Sequence, residues 1–365
     1  MRKILAFVAA GTAALVMSGC GGPTESTAKA AIDGATKGTI GVAMPTKTSL
    51  RWIKDGDAMK TQLVAAGYKV NLMYANDDVP TQVTQVDDMV TNKNQVLVVA
   101  AINSKALVGP LDRAKKAGIP VIAYDRLLRD TSAVNYYTTF DNLKVGELQA
   151  KSLINGLKAG GKPAPWNFEL FAGSPDDNNA GFFYKGAMAI LRPLIDSGQI
   201  AIRSGEADFM QAATPRWQAA TAQSRMKRIL RSSYANEDVH GVLVPNDGMS
   251  RAIIATLEAN GYGSGKKQLP VITGQDAELE SVKLILRGEQ YSTVFKDTSK
   301  LATATVTMIK QITRKGTVQT NDTISYHNGV KLVPTMQLDP TSVNKTNIGQ
   351  VMLKAKYYTV AQMEK

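Results

Sequence analysis

Two oppositely charged residues, Asp125 and Arg126, end the stretch VIAYDR at residues 121–126. The apolar part of this stretch predicts a short buried strand. Strands normally end at the surface, where charged residues are common, so one interpretation is that both groups are simply solvated. The other is that the strand ends at a cleft, where the carboxylate and the guanidinium bind a polar ligand.

Four further apolar runs also end in polar residues. These ends are residues 174–179, 246–247, 275–276 and 296–297. In open α/β sheets, ligands bind beyond the carboxyl ends of the strands. Five polar ends, each after an apolar strand, therefore favour a polar cleft.

The residue types at these ends suit hydrogen bonding to hydroxyl groups better than catalysis. The two histidines, His240 and His327, lie in no metal-binding pattern, and the chain has no GxSxG, Walker A or GxGxxG motif. We therefore expect no cofactor, no metal and no enzyme activity. A polyhydroxy compound needs both donors and acceptors, which Arg, Lys, Asn, Gln and Asp supply.

A sugar also has an apolar C–H face that an aromatic ring can cover. Trp52 and Trp217 are available for this role, and each follows an arginine. Core packing is the commoner fate of a tryptophan, so both interpretations stay open.

The elements that must position these residues alternate from Gly38 onward. Runs such as TIGVAMP, KVNLMYAN and QVLVVAAI predict strands, and segments with helical spacing separate them. Strands that alternate with helices indicate βαβ units and a parallel sheet. The pattern restarts after residue 142, which predicts an α/β fold of two doubly wound, Rossmann-like lobes with a crevice between them.

The N-terminus predicts export. A basic start precedes an apolar run that is too short to span a membrane comfortably, as in a signal peptide of residues 1–19. Residues 17–20, MSGC, resemble a bacterial lipobox, which implies a lipid on Cys20; an ordinary signal peptide cut elsewhere is the alternative. Residues 20–37 are small and polar and predict a flexible tether. We thus expect an extracytoplasmic domain, in the periplasm or at the cell surface, anchored through Cys20.

The bulk composition fits two globular domains. The chain has 365 residues, of which 44% are apolar, and a formal net charge of +12. The basic residues are scattered, and no aromatic residues alternate with them in a stripe. Nucleic acid is therefore a disfavoured partner.

Seven motifs in order make a family resemblance specific. They are SLRWIKDG, VIAYDR, FDNLKVGELQA, GSPDDNNA, PNDG, GQDAE and YSTVFKD. The chain from Gly38 onward resembles the bacterial xylose-binding and multiple-monosaccharide-binding proteins of ABC transporters, a branch of the type I periplasmic binding proteins. The resemblance implies two lobes that are joined by a three-strand hinge and close on one monosaccharide, which is presented to an ABC permease.

The resemblance also implies residue roles. Arg51 is implied to bind hydroxyls, and the Asp125–Arg126 pair to grip adjacent ones. The other implied sugar-binding residues are Trp52, Asn178, Trp217, Asn246, Asp276 and Lys296.

The implied hinge crossings lie near residues 140–142, near Asp297 and around 325–330. This predicts an N-terminal lobe of residues 38–140 plus 297–328 and a C-terminal lobe of residues 141–296 plus 329–365.

The expected function is that of a monomeric binding lipoprotein that delivers an aldopyranose such as xylose, glucose or galactose to an ABC permease. The alternative is a sugar-sensing co-receptor for a chemoreceptor or sensor kinase.

Overall fold

The computed structural model describes residues 37–265 and 267–364, which belong to one compact unit. Cys20, the predicted signal peptide and the predicted tether up to residue 36 lie outside this range. Within the described residues, no helix combines the length and the hydropathy that crossing a membrane would require.

The described residues form twelve strands, twelve α-helices and one short 3-10 helix, Pro215–Trp217. The strands are β1 (Lys37–Met44), β2 (Tyr68–Tyr74), β3 (Val96–Val99), β4 (Val121–Tyr124), β5 (Val134–Phe140), β6 (Trp166–Leu170), β7 (Ile200–Ile202), β8 (Gly241–Leu243), β9 (Val271–Ile272), β10 (Ser292–Phe295), β11 (Thr335–Leu338) and β12 (Thr341–Asn344). The helices are α1 (Leu50–Ala65), α2 (Val79–Thr91), α3 (Val108–Lys116), α4 (Asn142–Ala159), α5 (Asn178–Asp196), α6 (Phe209–Ala212), α7 (Ala219–Ser233), α8 (Asp247–Glu258), α9 (Leu279–Arg287), α10 (Thr298–Thr313), α11 (Ile348–Lys354) and α12 (Val360–Glu364).

The first lobe is built on a six-stranded parallel sheet in the order β11-β5-β4-β3-β1-β2. Helices cover both faces, which explains why its central strands are continuous apolar runs rather than alternating ones. On one face Val42 packs with Met59 of α1 and Leu301 of α10. On the other, Ala43 packs with Val86 of α2.

The second lobe is built on the parallel sheet β7-β6-β8-β9. A hydrogen bond of 3.1 Å from the Val294 N–H to the Gly274 carbonyl continues it into β10, which pairs antiparallel with β12. Helices α4 and α5 cover one face and α7 and α8 the other. The two doubly wound lobes thus place the carboxyl ends of β4 and β10 at one crevice.

The chain passes between the two sheets three times. It leaves the first after Phe140, returns from β10 to α10 after Phe295, and leaves again between β11 and β12. The predicted third crossing at residues 325–330 is therefore wrong, because Thr335–Leu338 pairs in register with Tyr137–Phe140 in the first sheet. Four residues with only half of them apolar carry too weak a strand pattern to reveal this in advance.

Candidate functional site

A cavity of about 700 Å³ lies between the two lobes at the carboxyl ends of their strands. Eight of the nine predicted ligand-binding residues line it. They are Arg51, Trp52, Asp125, Arg126, Trp217, Asn246, Asp276 and Lys296.

Arg51 and Asp125 form the floor of the cavity on the first lobe. Arg51 lies in the first turn of α1, and Asp125 directly follows β4 in a left-handed conformation with φ 59°. The Arg51 Nη2 donates to Asp125 Oδ2 at 3.0 Å, and the guanidinium lies 4.3 Å from the centre of the Trp52 ring. Strand β4, the start of the VIAYDR stretch, is thus followed by a carboxylate that is buried and paired rather than solvated.

Asp276 and Lys296 of the second lobe form a second pair of opposite charges next to Arg51 and Asp125. Lys296 Nζ lies 3.1 Å from Asp276 Oδ1 and 3.9 Å from Asp125 Oδ2, and Arg51 Nη1 lies 3.6 Å from Asp276 Oδ1. Two cations and two carboxylates, all nearly buried, therefore alternate across the lobe boundary. Burial alone would raise the pKa of Asp125, but the neighbouring cations hold it below its ordinary value.

Arg126 also joins the lobes. Its Nε lies 2.8 Å from Asp177 Oδ2, and its Nη1 donates to the Ala101 carbonyl at 3.0 Å. Asp177 caps α5 by accepting from the Asn179 N–H at 3.0 Å, and burial raises its pKa. The strand ends and the start of a helix together hold Arg126 at the wall of the cavity.

Asn178 is the one predicted residue that the structure places elsewhere. Its Oδ1 accepts from Arg129 Nη1 at 3.2 Å, outside the cavity, and Asn179 lines the cavity instead. Successive residues of a helix project about 100° apart, so only one of two adjacent asparagines at the start of α5 can face the crevice. The Asn179 Nδ2 donates to the Asp125 carbonyl at 2.7 Å.

Trp217 lies in a tight turn at the cavity wall. Arg216 and Trp217 both have left-handed backbones, with φ 58° and 57°. The indole packs directly against Gly173, where a Cβ atom would collide with it, and edge-on to Phe183 at 6.3 Å between ring centres. Of the two interpretations of this tryptophan, exposure to the cleft is the one that holds.

Comparisons with known proteins identify the family. The profile of the periplasmic binding protein domain matches residues 40–317, about three quarters of the chain. The chain belongs to this family.

Relatives and solved structures agree over almost the whole chain. The multiple sugar-binding periplasmic receptor ChvE of Rhizobium radiobacter is 50% identical over 330 residues, which cover 90% of this chain and 93% of that protein. The D-xylose-binding periplasmic protein of Escherichia coli is 33% identical over 324 residues, covering 89% and 92%. A crystal structure of an ABC transporter solute-binding protein from Clostridium phytofermentans with bound β-D-glucose has a TM-score of 0.85 and 42% identity, and the match covers 89% and 99%. The predicted resemblance and the type I periplasmic binding protein fold are confirmed.

Several residues at the mouth of this binding protein's cleft were not predicted. Arg216 Nη1 of the second lobe donates to the Asp77 carbonyl of the first at 3.0 Å. The Ser49 hydroxyl donates to Glu278 Oε1 at 3.2 Å, and Arg251 Nη2 donates to Glu278 Oε2 at 2.6 Å. Arg216 stands beside a predicted residue in the sequence. Asp77 directly follows the predicted strand KVNLMYAN, so its place at a strand end could have marked it, whereas Ser49 does not directly follow an apolar strand.

The charges that line the cavity balance. The cations are Arg51, Arg126, Arg216, Arg251 and Lys296, and the carboxylates are Asp77, Asp125, Asp177, Asp276 and Glu278. Within residues 37–265 and 267–364, no group of His, Cys, Asp and Glu side chains could hold a metal ion. The arrangement is chemically suited to a neutral ligand rich in hydroxyl groups.

Proposed function

We propose that this protein is an extracytoplasmic monosaccharide-binding protein that delivers an aldopyranose such as xylose, glucose or galactose to an ABC permease, and that it acts by binding alone. The observation that carries this proposal is the alternation of two cations and two carboxylates, Arg51, Lys296, Asp125 and Asp276, all nearly buried where the two lobes meet. The alternative of a sensing co-receptor is not favoured by the comparisons.

Charge balance indicates a neutral ligand. An anionic or cationic ligand would leave a net charge in a cavity where water is partly excluded, and uncompensated buried charge is costly. A sugar hydroxyl donates to one carboxylate and accepts from a cation at once, so it can be inserted between oppositely charged partners that are already in place. Bonds of this kind are charge-assisted and strong.

The five charged residues among those predicted then have definite roles. Asp125 and Asp276 accept from hydroxyls, and Arg51, Arg126 and Lys296 donate to them. Apart from Arg126, each of these charged groups lies within 4 Å of an opposite charge across the lobe boundary. The sugar therefore bridges lobes that otherwise separate, and binding favours the closed state.

Two neutral groups and one aromatic ring complete the proposed site. Asn246 Oδ1 caps α8 by accepting from the Met249 N–H at 2.9 Å, which leaves the amide Nδ2 to donate to a ligand. Asn179 replaces the predicted Asn178. The Trp217 ring covers the C–H face of the sugar.

We propose lobes with corrected boundaries. The first comprises residues 38–140 and 297–338, and the second residues 141–296 and 339–364; this places β11 with the sheet that it joins. We further propose that a monomer is tethered by lipid on Cys20, in which case Cys20→Ser moves the protein from the membrane fraction to the soluble fraction.

A titration of the purified protein with xylose, glucose, galactose, arabinose, fucose and ribose tests the sugar site. Trp52 and Trp217 both line the cavity, so intrinsic fluorescence should change when a sugar binds there. Calorimetry detects any sugar whose binding does not change the fluorescence. Saturable binding of several aldopyranoses supports a multiple-sugar protein, and binding of xylose alone narrows it to one substrate. No heat and no fluorescence change with any of the six sugars would refute the proposal.

A further inference from the structure

A fully buried carboxylate lies behind the sugar-facing arginine. Asp55 stands one helical turn after Arg51 in α1 and has no exposed surface. Its Oδ2 accepts from Arg51 Nε at 3.0 Å and also lies 3.0 Å from Arg51 Nη2. Asp55 does not line the cavity, so it is separated from any ligand by the guanidinium that it binds.

The second oxygen of this carboxylate is held as well. The hydroxyl of Tyr124, a buried residue at the end of β4, donates to Asp55 Oδ1. Tyr124 is followed directly by Asp125, which accepts from Arg51 Nη2 at 3.0 Å. Two hydrogen bonds thus connect helix α1 with the end of strand β4, one from Tyr124 to Asp55 and one from Arg51 to Asp125.

Counting donors shows what this arrangement leaves free. A guanidinium has five N–H groups in a rigid planar fork. The Nε and Nη2 edge faces Asp55, and Nη2 also donates to Asp125. Only Nη1 remains, and it points towards Asp276 across the cavity, 3.6 Å away.

We infer that Asp55, supported by Tyr124, is a positioning residue that orients the guanidinium of Arg51 so that its Nη1 edge meets the sugar. The inference rests on the proposed function and adds to it. A flexible arginine would have to be ordered when the sugar binds, and ordering a long side chain reduces affinity. In this protein the fold has ordered it in advance.

The titration of Asp55 supplies a distinctive readout. Burial raises its pKa to about 6, while Arg51 acts in the opposite direction. The titratable groups that face it are Arg51 in α1, Tyr124 and Asp125 at the end of β4, Tyr74 in β2 and Tyr357 near the C-terminus. The pKa values of Arg51 and the three tyrosines are raised and that of Asp125 is lowered, so in this set Asp55 alone changes charge between pH 5 and 7.

The test compares three purified variants with wild type, using the best-bound sugar of the titration series. Asp55→Asn removes the charge that holds Arg51, and Tyr124→Phe removes the supporting hydroxyl. Glu169→Gln is a matched control, because Glu169 is a buried carboxylate that accepts from Tyr234 at 2.8 Å in the second lobe, away from the cavity. Calorimetry gives Kd from pH 5 to 8, and urea denaturation gives stability.

The expected result separates positioning from stability. We expect Asp55→Asn to raise Kd about tenfold or more, as the loss of a hydrogen bond to a charged group does, and Tyr124→Phe to raise it less. Wild-type affinity should fall as the pH drops through about 6, because protonation of Asp55 releases Arg51, whereas Asp55→Asn should show no such fall. Glu169→Gln should lose stability but keep the wild-type Kd and pH profile.

Two results would overturn the inference. One is an Asp55→Asn protein that is folded and binds sugar like wild type. The other is an Asp55→Asn protein whose affinity still falls near pH 6. If Asp55→Asn does not fold, Tyr124→Phe decides, and an unchanged Kd together with an unchanged pH midpoint refutes the inference. Absence of binding by wild type and Glu169→Gln alike would instead overturn the proposed function, and the inference with it.

Discussion

Substitution of Asp125 perturbs the site at its centre, because this carboxylate contacts cations from both lobes. Substitution by asparagine and substitution by alanine separate the effect of the charge from the effect of the oxygen atoms. Asparagine keeps the shape and tolerates the left-handed backbone of Asp125, where φ is 59°, but it removes the charge. Alanine removes the oxygens altogether and is strained in that conformation.

The loss of affinity can be worked from the contacts. If Asp125 accepts from two adjacent hydroxyls, each bond contributes about 1.5–3 kcal/mol, so Asp125→Ala should cost about 3–6 kcal/mol. A tenfold change corresponds to about 1.4 kcal/mol, so Kd should rise by about two to four orders of magnitude. Charge-assisted bonds are roughly twice as strong as neutral ones, so Asp125→Asn should lose about half of that energy, or about one to two orders of magnitude.

The fold should survive both substitutions. Without Asp125, Arg51 keeps Asp55 at 3.0 Å and Lys296 keeps Asp276 at 3.1 Å, so neither cation is left without a partner. The left-handed conformation should cost Asp125→Ala about 1–2 kcal/mol of unfolding free energy. Asp130→Ala is the matched control, because Asp130 has φ 57° on the exposed surface of the same lobe.

Calorimetry of the wild type and the three variants, with urea denaturation of each, provides the assay. Asp130→Ala should lose stability without losing affinity, which separates backbone strain from sugar contact. A folded Asp125→Ala protein that binds sugar like wild type would show that the carboxylate does not touch the ligand, and the assignment of the site would fail at its centre.

Three further predictions concern stability, release and closure. Burial beside Glu278 raises the pKa of Asp247 to about 8, above the pKa of this group in the unfolded chain. The contribution of protonated Asp247 to the free energy of unfolding is therefore fully present below about pH 4 and is lost as the pH rises through about 8. Urea denaturation should therefore show wild type losing on the order of 2–5 kcal/mol more than Asp247→Asn between pH 5 and 9, and equal losses would contradict the assignment. Arg216→Ala removes the hydrogen bond to the Asp77 carbonyl at the mouth of the cleft, so stopped-flow should show faster sugar release at an unchanged association rate. The control is Arg228→Ala, which should behave like wild type because Arg228 is an exposed residue of α7 that pairs with Glu206 and does not line the cavity. Small-angle scattering should show a smaller radius of gyration at saturating sugar, and an unchanged radius would rule out closure.

The positions of the central site residues could be predicted because parallel sheets constrain them strongly. Every strand of such a sheet points the same way, so the residues that follow the strands collect at one edge. Asp125 and Lys296 were found by this rule, since each comes directly after a strand of four buried residues. The rule needs no knowledge of how the lobes face each other, and it succeeds for that reason.

The rule does not apply where a side chain is directed by a helix or a loop. Asn178 and Asn179 are identical in type and adjacent in sequence, and only the rotation of α5 decides which of them faces the cavity. Strand β11 is a similar case, because its membership of the first sheet depends on backbone pairing with β5 rather than on its own apolar pattern. Asp55, four residues after Arg51, has the spacing of an ordinary surface ion pair on a helix.

The paired charges of the cavity explain how a polar site can be rigid before it is occupied. An isolated buried carboxylate would take up a proton, and an isolated buried ammonium group would lose one. In this cleft Asp125 remains ionised because Arg51 and Lys296 lie beside it, and each of these cations contacts Asp276 as well. A neutral sugar therefore meets donors and acceptors that each lobe already holds charged and oriented, Arg51 with Asp125 on the first and Lys296 with Asp276 on the second, and closure brings the two sets together around it. Discrimination between sugars then depends on where each hydroxyl falls within this arrangement, not on net charge.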